Sequence, residues 1–248
     1  MTAADRTALV TGASSGIGAA IVRRLRADGT TVFAVGRNGE RLAALAAETG
    51  CLARLVDLCD LPALRVLVDE AQPDIVICNA GTGAAFTLLA AEAEAIAATI
   101  ETNLTATLQL LRLSVPAMRA RGCGHVVTIG SVAGLHAVSS TVYAASKAAI
   151  HRLSQALRLE LQGSGVRVTE ICPGLVDTPF LAATMPDPAA RQRFLGGTEL
   201  LHPEDVADAV HYALGAPTRV NVALIELLPT GQSMGGVQLT PPPSGGAA

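Results

Sequence analysis

Tyr143-Ala-Ala-Ser-Lys147 sets a phenol and an ammonium four residues apart. On a helix that spacing is about one turn, so both side chains stand on one face. A phenol ionises near pH ~10 in water and is a poor acid or base at neutrality, but a cation beside it stabilises the phenolate. The pair therefore suits proton exchange with a substrate oxygen, while a surface ion pair or a packed ring would show the same spacing. The chain has two tyrosines in all, which makes one of them beside a lysine informative. Ser131 ends the apolar run Val126-Val-Thr-Ile-Gly-Ser131; its hydroxyl could hold a substrate oxygen or cap a turn. Asn79-Ala80-Gly81 and Pro173-Gly174 close two further apolar runs. Asn103 interrupts an Ala-rich helical stretch where helix propensity gives it no reason to be.

A second constellation suits binding. In Thr11-Gly-Ala-Ser-Ser-Gly-Ile-Gly18, Gly12 permits a tight turn, Gly16 a close backbone approach to a pyrophosphate, and Gly18 close helix–strand packing. Free N–H groups at the start of the following helix face the anion, and Ser14 and Ser15 can add hydroxyl donors. Three glycines alone are a weak signal; at the first strand–helix junction they point to a dinucleotide. An NAD-selective site places an acid about 20 residues further on. Here 37 − 18 = 19 leads to Arg37, and residues 31–38 contain no Asp or Glu. Arg37 either forks a ribose 2′-phosphate or is a solvated loop residue, so NADP(H) is favoured and NAD(H) is the alternative. Asp57 follows the third apolar run, as a partner for an adenine amino group or as a helix cap.

These residues come together only if the elements between them alternate. Short β-branched runs at 7–11, 31–35, 52–56, 75–78, 125–130, 166–171 and 223–228 read as strands, apolar throughout as strands covered on both faces are. Helical runs at 16–27, 39–49, 61–71, 92–120, 141–162 and 203–213 separate them. The last opens His202-Pro203-Glu204-Asp205, with proline and acids in its first turn. The pattern predicts a single-domain α/β fold over 1–240, a Rossmann-type doubly wound parallel sheet of about seven strands with helices on both faces. Each motif then falls beyond a strand's carboxyl end, where such folds bind ligands. The tail 241–248, Pro-Pro-Pro-Ser-Gly-Gly-Ala-Ala, is too poor in apolar residues to pack and is expected to be disordered.

Taken in order, Thr11–Gly18, Asp57, Asn79-Ala80-Gly81, Asn103, Ser131, Tyr143-x-x-x-Lys147 and Pro173-Gly174 with Thr178 make the chain resemble a short-chain dehydrogenase/reductase over residues 5–235. The resemblance implies a catalytic set of Asn103, Ser131, Tyr143 and Lys147. Tyr143 exchanges a proton with the carbonyl or alcohol oxygen, which Ser131 orients. Lys147 lowers the Tyr143 pKa and bonds the nicotinamide ribose, and Asn103 holds a water of the proton relay. Cofactor contacts are implied for Gly12, Ser14, Ser15, Gly16, Ile17, Gly18, Arg37, Asp57, Leu58, Asn79, Ala80, Gly81, Tyr143, Lys147, Pro173, Gly174, Val176 and Thr178. Cys78 stands where the family usually has a second asparagine.

Residues 175–201 correspond to the family's substrate lid and contain Phe180, Leu181, Met185, Phe194 and Leu195, with Arg191 and Arg193 between them. Phe180, Met185 and His136 are the substrate-contact candidates. Either arginine could hold a carboxylate, although the solvent face of a helix is the favoured reading. The ending Leu224-Ile-Glu-Leu-Leu-Pro-Thr-Gly-Gln232 is similar to that of 3-hydroxy acid and clavulanate dehydrogenases. Members pair two long helices across a two-fold axis, which implies a homodimer or homotetramer built on Ala144, Ala145, Ala148 and Ala149.

Composition sets the outer limits. Half of the 248 residues are hydrophobic and 16% are charged, enough for one large core. A net charge of −3 without a basic cluster argues against nucleic acid. No apolar stretch reaches the ~20 residues that span a membrane, and no signal-peptide core is present, so a cytoplasmic protein is expected. Five cysteines without a C-x-x-C pair read as buried reduced thiols, with no metal site. The expected activity is NADP(H)-dependent interconversion of a secondary alcohol and a ketone, or of an alcohol and an aldehyde or 3-oxo acid. Two alternatives are an NAD-dependent relative and a catalytically silent NAD(P)-binding sensor or assembly protein. Sugar-nucleotide epimerases share Tyr-x-x-x-Lys, but their G-x-x-G-x-x-G spacing and larger C-terminal region are not found here.

Overall fold

A computed structural model describes residues 6–83, 88–138, 140–233 and 239; the tail 241–248 lies outside them. The strands are β1 (Thr7–Thr11), β2 (Thr31–Gly36), β3 (Leu52–Leu55), β4 (Ile75–Cys78), β5 (Gly124–Ile129), β6 (Val166–Pro173) and β7 (Leu224–Leu227). They form one parallel sheet in the order β3-β2-β1-β4-β5-β6-β7. The order reverses between β1 and β4, which opens a crevice beyond their carboxyl ends.

The helices are α1 (Gly16–Ala27), α2 (Gly39–Thr49), α3 (Leu61–Ala71), α4 (Ala93–Ile100), α5 (Ala106–Arg121), α6 (Val132–Leu135), α7 (Thr141–Glu160), α8 (Pro179–Thr184), α9 (Pro188–Leu195) and α10 (Pro203–Gly215). Successive strand residues point to opposite faces, and the core divides accordingly. Ala8, Val10, Ile75 and Ile77 pack with α1, α2 and α10. Leu9, Val76 and Cys78 pack with α3, α5 and α7. Inner strands are buried on both faces as their apolar runs predict, whereas the edge strands β3 and β7 are partly exposed.

The helix expected at 92–120 is not continuous. A π-helical turn, Glu101–Thr105, separates α4 from α5 and carries the buried Asn103. Such turns are rare, and in this one Asn103 bonds to Thr82 in the loop after β4 and to Ser146 on α7.

Candidate active site

The glycine loop is shaped for close backbone approach. Gly12 has φ +64° and Gly16 φ +52°, conformations that favour glycine. A Cβ on Gly18 would overlap the Gly12 carbonyl oxygen. Asn79 locks the turn from β4, its amide donating to the carbonyls of Thr11 (2.9 Å) and Gly12 (3.2 Å). Thr11 Oγ1 donates to the Ile77 carbonyl and accepts from the N–H groups of Asn79 and Ala80. Helices α2, α3 and α9 cap their own first turns with Asn38, Asp60 and Asp187. Helix α1 has no side-chain cap and no acid in its first turn. Its N–H groups and positive dipole end are thus left for an anion, and the residues present fit a dinucleotide pyrophosphate.

On the other side of the crevice, β5 ends at Ser131, the N-cap of α6, whose hydroxyl accepts from the Ala133 N–H at 3.1 Å. Lys147, buried on α7, donates to the Ile129 carbonyl at 2.7 Å. Its Nζ lies 5.7 Å from the centre of the Tyr143 ring. Asn103 accepts from the Thr82 N–H at 2.7 Å and donates to the Thr82 carbonyl and to Ser146 Oγ, at 2.9 and 3.0 Å. With both amide donors committed, its side chain is a clasp between the β4 loop and α7, which leaves backbone groups to hold any relay water.

The charges differ from the expectation for a phenol beside a cation. Burial pushes the Tyr143 phenol up to about 12, and a hydrogen bond from Ser131 only partly offsets this. Burial likewise lowers Lys147 to about 8. Desolvation is the largest cause at both groups, so the phenol is neutral at pH ~7.

The family described as short chain dehydrogenase matches residues 6–189. The chain belongs to the short-chain dehydrogenase/reductase family. It is 37% identical over 237 residues to an uncharacterized oxidoreductase of Staphylococcus saprophyticus, covering 91% of this chain and 97% of that one. Its fold is similar to serine dehydrogenase in a closed form with NADP+, with TM-score 0.88 and 34% identity over 94% of this chain and 98% of that chain. A variant of actinorhodin polyketide ketoreductase with NADPH gives TM-score 0.83 at 30% identity, covering 92% and 98%. This short-chain dehydrogenase/reductase is an oxidoreductase, and its family binds NAD(P).

A cleft of about 630 Å³ runs along the carboxyl ends of the strands of this short-chain dehydrogenase/reductase. Nearly all the residues expected to touch a cofactor line it, from Ser14 and Arg37 at one end to Tyr143 and Thr178 at the other. Gly18 and Asn103 do not; they stand behind the wall and shape it. Asp57 lines the cleft and accepts from the Cys59 N–H at 3.0 Å. It does not cap α3, because Asp60 does. Phe180 and Met185 also line the cleft, and the Phe180 ring lies tilted against that of Tyr143, their centres 5.5 Å apart.

His136 stands outside the cleft lining. Its Nε2 lies 2.8 Å from Glu226, and it borders a separate shallow depression rather than the cleft. The β7 carboxylate draws the ring away. Neither lid arginine lines the cleft: Arg191 donates to the Met185 carbonyl at 2.9 Å and Arg193 is exposed. Of the five cysteines, Cys51, Cys78 and Cys172 are buried and reduced, while Cys59 and Cys123 are exposed. Gln232 escaped sequence reasoning. Its Oε1 accepts from the Leu175 N–H at 2.9 Å and packs against Gly174, where a Cβ would clash. The turn that ends β7 was its available signal, since it reaches the same rim. Among the described residues no helix is long and apolar enough to cross a membrane, and no cluster suited to a metal occurs.

Proposed function

We propose that the protein is an NADP(H)-dependent carbonyl reductase in which Tyr143 protonates the substrate oxygen, acting on neutral carbonyl compounds with apolar substituents. The observation that carries this reading is the convergence of Ser131, Tyr143 and Lys147 on one cleft that also contains the glycine loop and Arg37. The glycine loop and the α1 N-terminus would hold the pyrophosphate, Arg37 the 2′-phosphate, and Lys147 the nicotinamide ribose. The hydride taken by the carbonyl carbon is the chemistry that a reduced nicotinamide supplies when bound. Ser131 orients the substrate oxygen, and Tyr143, neutral because burial raises its pKa to about 12, is poised as the proton donor.

The substrate class follows from the lining. Phe180, Leu181, Met185 and Phe194 make the lid side apolar, and Gln232 and Thr184 are polar but uncharged. Charged side chains on the wall are Arg37, Asp57 and Lys147, none of them from the lid. Lys147 is also the one lysine of the chain, so no second lysine exists to pair with a substrate carboxylate. We infer too that two or four copies associate through the partly exposed alanine face of α7.

The test is NADPH oxidation over a panel of neutral ketones, aldehydes and 3-oxo acids, with Tyr143→Phe as control. Neutral ketones should be preferred, and the variant should lose about 10²–10⁴-fold in kcat/KM with its NADPH Kd within about twofold. A preference for carboxylates overturns the substrate class. Equal losses of turnover and NADPH affinity overturn the role of Tyr143.

A further inference from the structure

Tyr143 and Lys147 begin a longer series. Tyr143, Lys147, His151 and Gln155 recur at intervals of four on α7, so they share one stripe of the helix. Glu170 and Cys172, two apart on β6, face that stripe, on the side where Val166 and Val168 join the α7 core. Glu170 is wholly buried, on a strand with neighbours on both sides. A carboxylate in such a place is costly unless something compensates it.

Its compensation is incomplete locally. His151 Nδ1 lies 2.7 Å from Glu170 Oε2, and His151 Nε2 lies 2.9 Å from Gln155 Nε2. Arg152 donates to Gln155 Oε1 at 2.8 Å, which orients the Gln155 amide with its NH₂ towards the ring. His151 Nε2 therefore accepts, and Nδ1 carries the proton donated to Glu170. A ring in that form brings a hydrogen bond but no charge. Glu170 Oε1 has no N–H or O–H partner; besides His151, the carboxyl is met by the Cys172 thiol. It lies beside Gly130, where a Cβ would stand 2.5 Å from Oε1 and 2.8 Å from Cys172 Sγ. Lys147 Nζ bonds the carbonyl of the preceding residue, Ile129. Carboxylate and ammonium thus bracket one strand end, and the missing side chain of Gly130 leaves room for the carboxylate.

We infer that Glu170 is a positioning residue of the active site: anchored by His151, its carboxylate is the buried counter-charge that keeps Lys147 an ammonium. The inference rests on the reading of Tyr143 and Lys147 under Proposed function. Burial lowers Lys147, and Cys172, Glu170 and Cys78 oppose that fall. Burial also pushes the Cys78 thiol up to about 12 and raises the Cys172 thiol still further, so both are neutral. Glu170 is the carboxyl group among the three. The other cation it favours is Arg158, further along α7, which bonds the carbonyls of Val168 and Ala223 at 3.3 and 3.0 Å.

Because Lys147 is the sole lysine, lysine labelled with carbon-13 at Cε gives one side-chain signal, and its titration in the cofactor-free protein reads this ammonium alone. Glu170→Gln keeps the shape and the bond to His151 but removes the charge. Its lysine midpoint should fall by about one pH unit, and the alkaline limb of kcat/KM for NADPH-driven reduction should move down with it. Glu170→Asp draws the charge back by one methylene and should give a midpoint between the two; it also decides the matter if Glu170→Gln does not fold. A midpoint unmoved in the folded variant, or turnover lost evenly at every pH, overturns the inference. Tyr143→Phe with full turnover would instead sink the proton-transfer reading, while the lysine titration would still report the effect of Glu170.

Discussion

Arg37 stands exposed just past β2, lining the cleft with Asp57 and Asn38. A guanidinium there matches a 2′-phosphate and repels nothing on it, whereas a carboxylate would repel the phosphate and accept from a 2′-hydroxyl. Charge-assisted bonds contribute roughly 1.5–3 kcal/mol each, and ~1.4 kcal/mol is tenfold in affinity. Arg37→Asp should therefore lower the ratio of NADPH to NADH kcat/KM by at least about tenfold; steady-state kinetics with both coenzymes gives that ratio, and an unchanged ratio would remove Arg37 from the site. Spacing alone does not set the Tyr143 pKa. Four-residue spacing brings an ammonium near the ring, but it does not report how much water either group has lost, and that loss dominates.

At the scale of elements, one departure from regular structure and one strand pairing have consequences. The π turn rotates Asn103 inward to hold Thr82 and Ser146. The β5–β6 pairing buries a histidine. Thr169 Oγ1 donates to the Val222 carbonyl at 2.6 Å, so it accepts from His125 Nε2 at 2.8 Å, and Nδ1 has no partner. Burial, with Arg167 and Arg6 adding repulsion, takes His125 from 6.5 down to about 3. The neutral ring is accommodated in the folded chain, and protonation favours the unfolded one. The stability linked to this group is thus whole above pH 6.5 and drains away between 6.5 and about 3. Urea midpoints should fall between pH ~7 and ~4.5 more steeply for the natural protein than for His125→Gln; parallel falls would show that other groups carry the acid sensitivity.

At the scale of the molecule, the parallel sheet leaves two partly exposed edges, and α7 presents a run of alanines outward. On α7, Ala145 and Ala148 are exposed beside the half-buried Ala144 and Ala149. Small side chains allow the close helix approach that a two-fold pairing needs. Sedimentation velocity should show dimers or tetramers at micromolar concentration, and Ala148→Arg should shift them towards monomers. A natural protein that sediments as a monomer would end this expectation.

The amino-acid order by itself determined the alternation of strand and helix, the glycine turn, the Tyr–Lys pair and the side of the sheet on which they meet. These depend on local spacing and on the rule that parallel strands bind ligands beyond their carboxyl ends. Tertiary structure decided what local spacing cannot carry. The π turn depends on a bond partner 21 residues away. His136 was drawn out of the cleft by a carboxylate 90 residues later in the chain, and Gln232 was brought in from beyond the last strand. Glu170 came to stand behind Lys147 through the packing of β6 on α7. Desolvation then set the charges, because it depends on everything that surrounds a group and on nothing that its neighbours in sequence reveal.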